Sequence, residues 1–127
     1  YEGARTLLRA SIEAGASNFL VTSGSSGSIN LALEILGIKD CFAGLITAGD
    51  VLRGKPAPDS YLACLARYRL KPDESLAIED APAGVASAQA AGLRVAGVHN
   101  SDLAQMADWY FATLEELRIK LELGNLA

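Results

Sequence analysis

Residues 75–98 read SLAIEDAPAGVASAQAAGLRVAGV. The apolar run 75–79 has strand character and closes on two acids, Glu79 and Asp80. Pro82 suits the first turn of a helix, because its missing N–H would be unbonded there anyway. Gly92 suits the end of that helix, and residues 93–98 form a second apolar run. A strand, a helix and a strand in this order make a βαβ unit, whose strands lie parallel.

The same alternation extends in both directions. Upstream, Asp59 opens a helix to about Leu70, with Leu62, Leu65 and Ala66 apolar. Residues 42–48 hold a short strand, and Ile29, Leu33 and Leu36 share a helix face that stops at Gly37. Residues 18–22 form a buried strand, and residues 2–14 a helix with Leu7, Leu8 and Ile12 at helical spacing before Gly15. Downstream, Asp102 caps a short helix, Trp109 to Phe111 form a last strand, and 114–123 form a closing helix. The expected fold is α/β, a three-layer doubly wound parallel sheet, in one domain spanning 1–127. Ligands of such sheets bind at the carboxyl ends of the strands, so a candidate site residue should lie there.

Half of the 127 residues are apolar, enough for a core, and the net charge is -4 without basic stripes. That composition argues against nucleic acid as the main partner, since phosphate backbones select clustered Lys and Arg. No apolar run reaches bilayer-spanning length. Cys41 and Cys64 lie in no metal-binding or C-x-x-C spacing and read as reduced, small hydrophobes, which suits a cytoplasmic setting. Tyr1 stands at the head of a helical pattern, so the chain reads either as a natural mature end or as a segment of a longer protein.

Three short stretches meet the strand-end criterion. Thr22-Ser23-Gly24-Ser25-Ser26 follows a strand and precedes a helix. Backbone N–H groups and hydroxyls there suit an anion, although taken alone the stretch is better explained as a turn with an N-cap. Gly54-Lys55-Pro56-Ala57-Pro58-Asp59 holds one Lys between fixed-φ residues, where an ammonium can offset phosphate or carboxylate charge. Glu79-Asp80 puts paired carboxylates at a strand end, the usual protein contribution to a Mg²⁺ site. Asp80 could also cap the following helix, but two acids closing a buried strand exceed what a cap requires.

Hydroxyl, Lys and acid pair in that order resemble the haloacid dehalogenase superfamily over essentially the whole chain. The strings VTSGS, GKPAPDSYL and LAIEDAPAGVASAQAAG are most similar to the subgroup that contains beta-phosphoglucomutase and phosphoglycolate phosphatase. The resemblance implies a Mg²⁺-dependent phosphatase or phosphomutase acting on a small phosphorylated metabolite through an aspartyl-phosphate. By position it implies that Thr22 bonds the phosphoryl oxygens with help from the Ser23 and Gly24 backbone. Lys55 would bridge phosphoryl group and nucleophile, Asp80 would bind Mg²⁺ directly, and Glu79 would bind it directly or through water. Gly84 would let its helix approach the sheet.

The family's nucleophile is the first Asp of an Asp-x-Asp-x-Thr/Val string that ends a central strand, and no such string occurs here. The resemblance therefore implies that this chain lacks the central strand and the substrate-choosing cap, and is inactive alone. It also implies that the strands of Thr22 and Asp80 either pair directly or flank a gap filled by another chain. Two rivals are weaker. A receiver-type signalling domain places its acids before its Lys, the reverse of the order here, and a non-catalytic remnant would have no need to keep Thr22, Lys55 and Asp80 together.

The remaining polar residues read as structural. His99 reads as a solvated loop histidine, and Trp109, Tyr110 and Phe111 as core strand. Glu115 and Glu116 read as a wet helix face over Leu114 and Leu117. Tyr61, Tyr68 and Arg67 read as helix residues that pack or snorkel.

Overall fold

The βαβ unit expected at 75–98 is present in the computed structural model, which describes residues 1–124. Its strands β3 (Leu76–Glu79) and β4 (Arg94–Val98) are parallel, with Leu76 opposite Arg94 and Glu79 opposite Gly97. The helix between them, α4 (Pro82–Ala90), starts on Pro82 as read. Strand β5 (Trp109–Phe111) adds to the far side of β4, again in parallel. Upstream lie α1 (Ala4–Glu13), β1 (Phe19–Val21), α2 (Ser26–Leu36), β2 (Gly44–Ile46) and α3 (Asp59–Arg67), and α5 (Leu114–Glu122) ends the described chain.

Alternation along β4 generates the three layers. Val95 joins Tyr61, Val85, Ala88 and Leu103 in a cluster under α3 and α4. Ala96 and Val98 point the other way, into a cluster with Leu7 of α1 and Leu114 and Leu117 of α5. Successive strand residues face opposite sides, so a strand covered on both sides must be apolar at nearly every position. Val85, Val95, Leu103 and Leu117 are wholly buried, and each such side chain contributes on the order of 1.5–3 kcal/mol.

Among the described residues the strands form two ladders, β1–β2 and β3–β4–β5. Direct pairing of β1 with β3, one of the two expected outcomes, is not what is found. Val21 of β1 still packs against the α3–α4 cluster, while Ile78 of β3 is 39% exposed. Several local expectations are corrected. The helix begun at Asp59 ends at Arg67 rather than near Leu70. Asn100, not Asp102, accepts the capping bond of the turn at 101–105. Ile12, Leu36 and Leu62 are exposed, because their helices are covered along a narrower stripe than the spacing implied. Cys41 and Cys64 are free and buried, as read. No helix among the described residues is long and apolar enough to cross a membrane.

Candidate active site

The carboxyl ends of β1 and β3 meet across the side chain of Lys55. Its Nζ donates to Oε1 of Glu79 at 2.6 Å and to the carbonyl of Val21, the last residue of β1, at 3.2 Å. Among the described residues no backbone bond joins the two ladders, and at these strand ends one ammonium bridges them. The Lys55 and Glu79 side chains are 16% and 8% exposed, so the pair is largely out of water. Desolvated charges of this kind persist only with good geometry and further hydrogen bonds.

The sequence explains how each partner is placed. The Lys55–Pro56 peptide is cis, and Ser87 of α4 donates to the carbonyl of Ala57 at 2.6 Å, which anchors the Lys-bearing loop to the helix. Asp59 accepts from Arg53 and begins α3. Gly84 has the packing role expected of it, now with a specific partner. A Cβ there would stand 2.0 Å from Oε2 of Glu79, so only glycine leaves room for the buried carboxylate beside α4.

Tyr61 packs in the core as expected, and it has a second role. Its hydroxyl also donates to Oε1 of Glu79, giving that oxygen a second donor. Burial first, and the Glu79 charge second, push the phenol well above its ordinary range, so it remains a donor at neutral pH. An aromatic at a core-facing helix position carries no sequence signal for this, because its partner arrives from a strand eighteen residues later. Tyr68 and Arg67 remain structural. The Tyr68 ring lies 4.7 Å from that of Phe19 in the space that Gly44 leaves, and Arg67 pairs with Asp50.

At the end of β1, Thr22 continues the ladder through its N–H to Ile46, and its Oγ1 accepts from the N–H of Gly24 at 3.1 Å. Ser25 N-caps α2 by accepting from the N–H of Ser28. The Ser/Gly stretch is therefore both a capped turn and a row of hydroxyls. Thr22 and Ser23 share a small open cleft of about 130 Å³ with Gly54 and Ser60.

Asp80 does not cap α4, whose N-cap residue is Ala81 without a side-chain bond. Its carboxylate instead accepts from the hydroxyl of Tyr1, whose ring is stacked 4.0 Å from that of His99. His99 is consequently not a solvated loop residue. It is half-buried at φ 64°, and its Nε2 is the buried side-chain polar atom without a partner among the described residues.

Glu79 and Asp80 offer hard oxygen donors of the kind Mg²⁺ takes, one or two carboxylates completed by water and substrate phosphate. Among the described residues no group of three or more His, Cys, Asp or Glu side chains gathers as a fuller cage. Adjacent carboxylates at a strand end are a donor set that fits Mg²⁺.

The sequence profile of the haloacid dehalogenase-like hydrolases matches residues 1–98. Validoxylamine A 7'-phosphate phosphatase of Streptomyces hygroscopicus subsp. limoneus is 36% identical over 102 residues, covering 78% of this chain and 48% of that protein. Hexitol phosphatase A of Escherichia coli is 41% identical over 99 residues, covering 76% of this chain and 44% of its own. The crystal structure of beta-phosphoglucomutase from Clostridium difficile superposes with a TM-score of 0.85 at 27% identity, covering 97% of this chain and 54% of that one. The chain spans about half the length of the curated relatives it matches.

Proposed function

Because the chain belongs to the haloacid dehalogenase-like hydrolases, we propose that it forms the phosphoryl- and cation-binding part of a phosphomonoester phosphatase or sugar-phosphate mutase. The observation that carries this reading is Lys55, held between the end of β1 and Glu79 at the end of β3. A fixed ammonium between a hydroxyl-bearing strand end and an acid-bearing one suits a dianionic phosphoryl group bound to a divalent cation.

In this reading Thr22 and the backbone of Ser23 and Gly24 hold phosphoryl oxygens, and Lys55 offsets the charge that develops on them. Asp80 is the direct Mg²⁺ ligand, with Glu79 as the second. Mg²⁺, when bound, would neutralise phosphoryl charge and orient the group. The nucleophilic Asp and the cap that chooses the substrate would belong to another segment of the same protein. Its strand would lie between β1 and β3, where the two ladders are not hydrogen-bonded. The nucleophile would displace the substrate's alcohol from phosphorus to form an aspartyl-phosphate, which water or a sugar hydroxyl would then cleave, taking the phosphoryl group and freeing the Asp. The names of the relatives suggest a small phosphorylated sugar or polyol as substrate.

The test is phosphatase profiling of the full-length gene product with Mg²⁺, beside the Asp80→Asn variant and this 127-residue chain alone. Turnover is expected from the first only. Turnover by the isolated chain that Asp80→Asn abolishes would show that the nucleophile lies within it, against the proposal.

A further inference from the structure

Two donors converge on a single oxygen of Glu79, the Lys55 ammonium and the Tyr61 hydroxyl. Both come from the segment that runs from the Lys-bearing loop into the first turn of α3, and both draw the carboxylate inward. On the opposite side Gly84 leaves space for the carboxylate and no more. A carboxylate that is 8% exposed is stable only while its charge is matched, and the inward arrangement matches it without a cation.

We infer that Tyr61 is a positioning residue that holds Glu79 inward and so raises the concentration of divalent cation needed to recruit Glu79 beside Asp80. The inference rests on the reading of Glu79 and Asp80 as cation ligands given above. Glu79 then has two settings, inward on Tyr61 and Lys55 or outward on the cation. A cation shifts that balance only by its differential affinity for the two settings. Loss of the Tyr61 hydroxyl weakens the inward setting alone, so the cation should bind more tightly. The same shift releases Lys55 from Glu79 toward a phosphoryl oxygen, which couples cation uptake to the availability of the ammonium.

Mn²⁺ is the probe, with the free ion followed by electron paramagnetic resonance as it is titrated into the full-length gene product. Tyr61→Phe keeps the ring and its packing, and is expected to take up Mn²⁺ about tenfold more tightly than the wild type, the effect of one hydrogen bond to a charged acceptor. In a Glu79→Gln background the same substitution is expected to change nothing. Equal or weaker uptake by a folded Tyr61→Phe chain, or a tightening that persists without Glu79, overturns the inference and leaves the cation reading intact. Absence of Mn²⁺ uptake by the wild type, or uptake indifferent to Asp80→Asn, overturns both. A second measurement uses the wild type alone. Saturating Mg²⁺ should move the Nζ resonance of Lys55 together with the carboxyl resonance of Glu79, and a Lys55 signal that stays put also overturns the inference.

Discussion

Nζ of Lys55 lies 2.6 Å from Oε1 of Glu79 in a setting where neither side chain is much exposed. Removing one partner strands the other charge, a more costly event than replacing both. Lys55→Met should destabilise the chain by about 3 kcal/mol, at the low end for a broken buried pair because Tyr61 still donates. Urea unfolding measures it. The double variant Lys55→Met/Glu79→Leu should recover much of the loss, and a double variant as unstable as the single one would contradict this account.

Gly84 faces the same carboxylate from α4. Gly84→Ala should cost roughly 1–3 kcal/mol despite the better helix propensity of alanine, because the new Cβ overpacks against Glu79. Shortening the opposing side chain should restore the helix benefit, so Glu79→Ala should make Gly84→Ala neutral or favourable. Thermal denaturation of the four chains gives the coupling, and zero coupling would separate the two residues.

Asp50 offers a pH test. Its carboxyl is held below the usual range by the backbone N–H of Thr47 first and by Arg67 second. A depressed folded-state pKa means that the folded chain binds fewer protons. The contribution is therefore complete above the unfolded value of about 3.9 and is lost as pH falls through the folded value below it. Carboxyl NMR titration should give a midpoint under that value. Arg67→Ala should raise it only in part, since the Thr47 bond remains. A wild-type midpoint at or above the ordinary value would remove the basis for this assignment.

Tyr61 shifts the other way. A phenol whose pKa is raised by folding supports the fold below its unfolded value of about 10, and that support fades as pH climbs past it. In the folded chain the alkaline rise in tyrosinate absorbance should be the same for wild type and Tyr61→Phe. A difference of one tyrosine between them would show that Tyr61 ionises with the others.

Much of this was legible in the sequence where local chemistry and topology coincide. The acids at 79–80 end an apolar run, Pro82 starts a helix, and a parallel sheet gathers strand ends, so Glu79 and Lys55 could be brought together on paper. Tyr61 and Ser87 could not. Each looks like a helix residue facing the core, and each owes its role to a polar atom from a distant element, the Glu79 carboxylate and the Ala57 carbonyl. His99 was misread for the converse reason. A lone histidine after a strand carries no sign that Tyr1, nearly a hundred residues away, will cover its ring. The exposure of Ile12, Leu36 and Leu62 was hidden as well, because periodicity gives a face but not how much of that face a neighbour covers.

The division into two ladders has a consequence for how the molecule yields to heat. Both large apolar clusters are built on β3–β4–β5, whereas β1 and β2 lean on that body through Val21, α3, the Lys55 ammonium and the bonds of Asn18 to α1. Elements with fewer buried contacts open first, so amides such as Thr22 N–H should exchange with deuterium through local opening while that of Ala96, central in the β3–β4 ladder, waits for global unfolding. The hydroxyl-bearing strand end and the acid-bearing one thus sit on leaves of unequal endurance. On warming, Thr22 and Asp80 should part company before the fold itself melts.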